Sequence, residues 1–184
     1  MALVYSWWVS EAYHRIHESE GGKPSIEVRP INELDDYYLE VKNIGNAGTF
    51  RMEIQIVEGK EYITPSRFGK YKVCWETTRT REARILKDQT DRVKIAQFVS
   101  YPPYYQSQHL SIYYYDPQSG QESHVDSNSY WVGATITSEN GKERPLTKPE
   151  FVLQVTISSE PILKKGSFVK KYKLGLSGLE ELSD

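Results

Sequence analysis

Residues 36–58 read DYYLEVKNIGNAGTFRMEIQIVE, and the alternation within this stretch decides the fold class. Tyr37, Leu39 and Val41 fall on one side of an extended chain, with Tyr38, Glu40 and Lys42 on the other. Further on, Phe50, Met52, Ile54 and Ile56 share a side, opposed by Arg51, Glu53, Gln55 and, less cleanly, Val57. A period of two belongs to strands with one face on a core and the other in water. Between the runs, Asn43-Ile44-Gly45-Asn46-Ala47-Gly48 offers residues that tolerate positive φ, so the stretch is expected to be a β-hairpin closed by a tight reversal. A one-residue slip would turn every apolar side chain outward, so the register is expected to be firmly fixed.

Working outward, the same signal recurs in short runs. Ile26 and Val28 alternate up to Pro30, and Tyr71, Val73 and Trp75 form a run in which Trp75 is the aromatic expected to fill the core, with Cys74 facing away. A strand is expected from Arg79 toward Ile85 and Leu86. Val93, Ile95 and Gln97 oppose Ala96 and Phe98, which predicts a segment buried on both sides or bulged. Leu110, Ile112 and Tyr114 alternate with Ser111, Tyr113 and Tyr115. Strands are also expected over Trp131–Thr137, through Phe151, Leu153, Val155 and Ile157, and over Phe168–Leu176. Loops are expected at 59–69, 101–105 and 118–128. The result is an all-β, antiparallel, immunoglobulin-like sandwich of about nine or ten strands. Nothing between the runs is long and periodic enough for the crossover helix of a parallel sheet. A short N-terminal helix is expected over Ser10–Glu20, with Ser10 as N-cap and Gly21-Gly22 as its end. The chain thus divides into an N-terminal helical or membrane-proximal segment (1–22), one sandwich (23–176) and a polar tail (177–184).

The run EVKNIGNAG resembles the V-x-N-x-G-x-A pattern of bacterial and archaeal Ig-like sandwiches, among them cell-adhesion-related (CARDB-type) domains and similar sandwiches in membrane-anchored proteins. The resemblance covers roughly residues 37–58. It implies a sandwich without an intrinsic catalytic site and carries no functional residues to transfer. The chain is longer, at 184 residues, than the about 100 typical of such domains.

Composition bounds the function classes. Net charge is −2, so no global field points to nucleic acid. A single cysteine, Cys74, rules out an intrachain disulfide. Fourteen Tyr and four Trp supply large surfaces for burial or recognition. Met1–Val9, MALVYSWWV, is apolar but shorter than the ~20 residues of a spanning helix, and lacks the basic start and cleavage site of a signal peptide. Two readings stay open: the end of a membrane segment, with Trp7 and Trp8 at the interface, or a terminus packed on the domain. The location is left open by the sequence, with cytoplasmic or membrane-tethered as the expectation.

Candidate chemistry is sparse. His14 and His17 with Glu11 and Glu18 bring imidazole and carboxylate to one helical face, but the HExxH spacing and a third ligand are missing. His109, His124 and Asp126 read as surface residues, and Cys74 as an unactivated buried thiol. No nucleophile elbow, Walker loop or dinucleotide fingerprint occurs in the sequence, so neither an enzyme nor a cofactor is expected. Basic runs lie between Arg67 and Lys94 and at Lys164, Lys165, Lys170, Lys171 and Lys173; they read as solvated faces and guarded edges. The candidate binding residues are Tyr101, Tyr104, Tyr105, Tyr113 and Tyr115, because Tyr gives broad contact area with little rotamer entropy. A protein partner or self-association is the first expectation. A carbohydrate stacked on exposed Tyr or Trp rings is the alternative.

Overall fold

A computed structural model describes residues 22–63, 70–100, 107–128, 130–131, 135–137, 143–145, 147–164 and 166–183. Fourteen strands run through the described residues: β1 (Ile26–Glu33), β2 (Asp36–Asn43), β3 (Gly48–Glu58), β4 (Lys70–Lys72), β5 (Glu82–Ile85), β6 (Thr90–Ser100), β7 (Ser107–Asp116), β8 (Gln121–Asp126), β9 (Tyr130–Trp131), β10 (Thr135–Thr137), β11 (Glu143–Pro145), β12 (Glu150–Glu160), β13 (Phe168–Gly175) and β14 (Gly178–Glu181). A first antiparallel sheet has the order β1-β2-β6-β7-β8, with β9 also on β7. A second has the order β14-β13-β12-β3-β4, with β5 also on β3, and β10-β11 form a separate ribbon.

The all-β, two-sheet expectation holds, but its details need correction. Among the described residues there is no α-helix, only a 3-10 turn at Lys60–Tyr62. The short N-terminal helix thus has no counterpart in the described fold, and residues 10–20, where it was expected, lie outside the described residues. The strand count exceeds nine or ten because polar segments form edge strands. Residues 121–126, expected as loop, pair with β7, and the expected tail supplies β14, which pairs with β13 and buries Leu179. Edge strands need only one apolar face or none, so composition hides them. Pro30 does not end the first strand either; it sits inside β1, which has a free edge to take it.

The deepest correction concerns residues 36–58. Strands β2 and β3 do not pair with each other: β2 lies between β1 and β6, whereas β3 lies between β12 and the β4/β5 edge. The stretch is an arch that carries the chain from one sheet to the other. Its alternation is as read, since Leu39, Val41, Phe50, Met52 and Ile54 are all fully buried, but the two apolar faces meet across the core instead of lying side by side. Asn43 holds the bend. Its Nδ2 donates to the carbonyls of Asn46 (2.7 Å) and Ile85 (2.9 Å), and its Oδ1 accepts from the Gly45 amide at 3.1 Å. The glycines serve close approach, not positive φ: a Cβ at Gly45 would lie 2.6 Å from the Lys23 carbonyl, and one at Gly48 would lie 2.9 Å from Pro24 Cγ.

Two further features shape the sheets. Tyr37 pairs with Ala96 and Tyr38 with Lys94, leaving Ile95 as the extra residue of a bulge. Ile95 and Ala96 are therefore both buried, as the double-sided pattern predicts. At the β1/β14 side the sandwich is laced shut by Asn32, whose Nδ2 donates to the Leu179 carbonyl (3.2 Å) and whose Oδ1 accepts the Leu179 amide (2.9 Å). Asn32→Ala leaves both backbone groups of a buried residue without that partner. The expected loss is about 1–2 kcal/mol in denaturant titrations, with faster hydrogen exchange at Leu179 than at β12.

Candidate functional site

The outer face of the first sheet gathers the chemistry. Register places Tyr38 beside Lys94, Asp36 beside Gln97, Gln97 beside Ser111, Tyr113 beside His124, and Ser111 beside Asp126. Because alternate residues share a face, these side chains form one layer across β2, β6, β7 and β8. Each strand places its apolar set on the core, which leaves this polar and aromatic set facing out.

The layer is tied together throughout. Lys94 Nζ lies 2.8 Å from Asp36 Oδ1 and 4.5 Å from the centre of the Tyr113 ring. Tyr113 donates to Gln97 Oε1 at 2.9 Å, and its ring lies 5.6 Å from that of His124. The Tyr38 hydroxyl donates to Asp36 Oδ2 at 3.3 Å, while the Arg92 guanidinium sits 4.7 Å over the Tyr38 ring. Arg92 also pairs with Glu33 at 2.9 Å and with Glu76. Tyr38, itself only 9% exposed, and the half-buried Tyr113 thus each carry a cation on a ring face. At the β7/β8 end, Ser111 donates to Asp126 Oδ1 at 2.7 Å, and His109 Nε2 and His124 Nε2 each lie 3.8 Å from that oxygen.

Ser111 is not set up as an activated nucleophile. A nucleophilic serine needs its proton directed at a base that a carboxylate orients, yet Ser111 gives its hydrogen bond to the carboxylate itself. The two imidazoles come from opposite directions: Ser111 faces Asp126, His109 lies two residues before it, and His124 faces Tyr113 two residues after it. They approach the same Asp126 oxygen from either side without reaching hydrogen-bond distance, and among the described residues no three ligating side chains are placed to hold a metal ion. Burial and the neighbouring Asp36 carboxylate hold the Tyr38 phenol above its ordinary range. For Lys94, burial pulls down, but the hydrogen bond to Asp36 and the adjacent Tyr113 outweigh it and hold the ammonium above its usual range. Neither group is poised for proton transfer at neutral pH.

Of the five tyrosines singled out by sequence, Tyr101, Tyr104 and Tyr105 lie outside the described residues. Tyr113 and Tyr115 share the outer face of β7, both half-buried. Sequence reading missed Tyr38, Arg92, Lys94, Gln97 and the Ser111–Asp126 pair as members of the same surface. It also placed His109 in solvent, whereas His109 is 7% exposed. The turn signal Asp116-Pro117-Gln118-Ser119-Gly120 would have revealed β8, and with it the position of His124 and Asp126. His14 and His17 lie outside the described residues. Several members of the basic runs pair with acids: Lys173 with Glu150 (2.8 Å), Lys170 with Glu181, Arg92 with Glu33 (2.9 Å) and Lys94 with Asp36 (2.8 Å).

Cys74 is buried and free. Burial, reinforced by Glu122 and opposed by Arg79, pushes its thiol up to about 11. With the folded value above the unfolded one, its contribution to stability is complete below about pH 8.5 and is lost as pH rises through about 11. Alkylation at pH 8 is expected to be at least about 100-fold slower in the native protein than in urea. Equal rates measured by mass spectrometry would contradict this placement.

The chain matches no family model, no curated protein and no solved structure. The fold and this face therefore carry the functional reading by themselves. No helix among the described residues is long and apolar enough to cross a membrane.

Proposed function

We propose that the chain is a non-catalytic interaction domain that binds a protein partner through the outer face of its first sheet. The observation that carries this reading is the cross-linked layer of Tyr38, Arg92, Lys94, Asp36, Tyr113 and Gln97. Side chains already fixed by their neighbours lose little entropy on binding. The layer offers tyrosine rings and an arginine in a set geometry, and aromatic and arginine side chains are enriched at protein interfaces. The resemblance of residues 37–58 to adhesion-related sandwiches points the same way, and the net charge of −2 gives no global field toward nucleic acid.

A carbohydrate ligand is the second reading, favoured by Tyr113 and Tyr115 sharing a solvent-facing strand. The cations over Tyr38 and Tyr113 weigh against it, because sugar stacking needs an open ring face. The two separate by experiment. Lys94→Glu is expected to abolish cross-linking to a partner that wild-type protein captures from its native cells, with Tyr115→Ala weakening it at least tenfold. Equal capture by wild type and Lys94→Glu would end the protein-partner reading. Retardation in polysaccharide gels, relieved by Tyr115→Ala, would install the carbohydrate reading instead.

A further inference from the structure

Of the five large apolar side chains that stand exposed among the described residues, four gather at one end of the sandwich: Ile44, Leu86, Ile162 and Val169. Register explains the meeting. Asn43 lies opposite Ile26, Thr90 opposite Lys42, Ile85 opposite Gly48, and Glu160 opposite Thr49. The β2–β3 arch, the β5–β6 turn and the turn after β12 therefore leave the sheets together. Backbone bonds hold them side by side. The Asp88 amide donates to the Asn43 carbonyl (2.7 Å), the Ile44 amide to the Ser25 carbonyl (2.8 Å), and the Lys164 amide to the Pro24 carbonyl (2.9 Å). A groove of about 590 Å³ lies between the arch and the start of β13, bordered by Ile44, Leu163, Phe168 and Val169.

Exposed apolar side chains scattered singly need no explanation, but a cluster at one end of the fold does. Ile44 is 41% exposed, Leu86 44% and Ile162 69%, in turns, where polar residues, glycine and proline are the usual occupants. Lysines accompany them: Lys42 comes shortly before Ile44, Lys87 follows Leu86, Lys164 comes shortly after Ile162, and Lys23 precedes Pro24. All four are exposed, and none has an acidic partner within ion-pair distance among the described residues. Glu27, beside Lys42 in register, and Asp88 are the acids among them, while Glu160 lies 3.8 Å from Arg51. Protein interfaces are enriched in aromatic and arginine side chains and depleted of lysine, so isoleucine, leucine and lysine fit a different partner. Apolar tips that enter the acyl boundary beside lysines that reach anionic headgroups are what a bilayer surface takes. We propose that this end of the sandwich docks on an anionic lipid bilayer, with Ile44, Leu86 and Ile162 entering it and the four lysines on its phosphates. The outer face of the first sheet runs along the strands, so docking by the end leaves that face clear for a protein partner.

Sedimentation of the full chain with vesicles tests this. Wild-type protein is expected to bind phosphatidylcholine–phosphatidylglycerol vesicles at least tenfold more strongly than phosphatidylcholine alone, with the difference shrinking at high salt. Ile44→Ser/Ile162→Ser and Lys87→Glu/Lys164→Glu change exposed side chains only, and each is expected to weaken binding at least tenfold. A nitrobenzoxadiazole label on Ile162→Cys is expected to shift to shorter wavelength on the mixed vesicles, and one on Leu34→Cys, in the β1–β2 turn at the other end, is not. Cys74 is buried, which leaves the new thiol to take the label. Full binding by either double variant would overturn the proposal, as would equal binding of wild type to both kinds of vesicle or to neither. A label on Ile162→Cys that is already shielded without vesicles would overturn it too, because protein would then cover this end.

Discussion

Trp75→Ala is expected to lower stability by about 3–5 kcal/mol, the range for deleting a large aromatic from a packed core. Trp75 is fully buried and also joins the two sheets, because it follows β4 of the second sheet and forms a β-bridge to Val93 on β6 of the first. Its amide donates to the Thr80 carbonyl at 2.9 Å, and its carbonyl accepts the Arg79 amide at 2.8 Å. A domain of this size has a total stability of about 5–15 kcal/mol, so the variant loses a large part of its margin. Trp75→Phe is expected to cost much less, about 1–2 kcal/mol, since the indole Nε1 has no hydrogen-bond acceptor among the described residues and only volume is lost. Urea titrations of both variants check the pair. Equal losses would mean that the indole nitrogen is satisfied after all.

Asn43→Ala is expected to cost about 2–4 kcal/mol, although it removes almost no apolar area. The carbonyls of Asn46 and Ile85 lose their side-chain donor, and the Gly45 amide is left with the Ser25 carbonyl alone, at 3.2 Å. Each orphaned buried group costs on the order of 1–3 kcal/mol, softened where relaxation admits water. Asn43→Asp separates shape from chemistry. The carboxylate keeps the acceptor for Gly45 but turns an oxygen toward two carbonyls, so at pH 7 it should be no better than Ala. That burden raises the folded-state pKa of the new carboxyl, so part of the lost stability should return as pH falls and protonation restores a donor. Stability that is flat with pH in Asn43→Asp would show that the side chain does not face those carbonyls.

The same residue marks where sequence reading stops. Alternation states which side of a strand meets the core, and Leu39, Ile54, Leu153 and Ile157 are all buried as read. It does not state which strand lies alongside. A hairpin and an arch bury the same side chains of 36–58; what separates them is whether the backbone bonds close between β2 and β3 or run to partners elsewhere. The signal was local but not periodic: an asparagine whose amide saturates the bend from inside. The candidate surface was hidden for a related reason. Tyr113 and Tyr115 stand out as a cluster along the chain, but Tyr38, Lys94 and Gln97 join them only through cross-strand register, including the bulge at Ile95. Edge strands β8 and β14 were missed because a strand with one partner and a wet face needs little hydrophobicity.

Because 36–58 is an arch, the long central strand of the second sheet cannot be completed locally. One edge of β3 meets β4 and β5 soon after it is made, but the other pairs with β12, where Ile54 faces Val155. At about 5–20 residues per second of synthesis, that edge waits roughly 5–20 seconds on a ribosome before its mate emerges. During that interval a run of Phe50, Met52, Ile54 and Ile56 stands with half its ladder unmade. Nascent chains stalled ahead of residue 150 should therefore engage holding chaperones strongly, and all 184 residues carried clear of the ribosome on an added C-terminal linker should not.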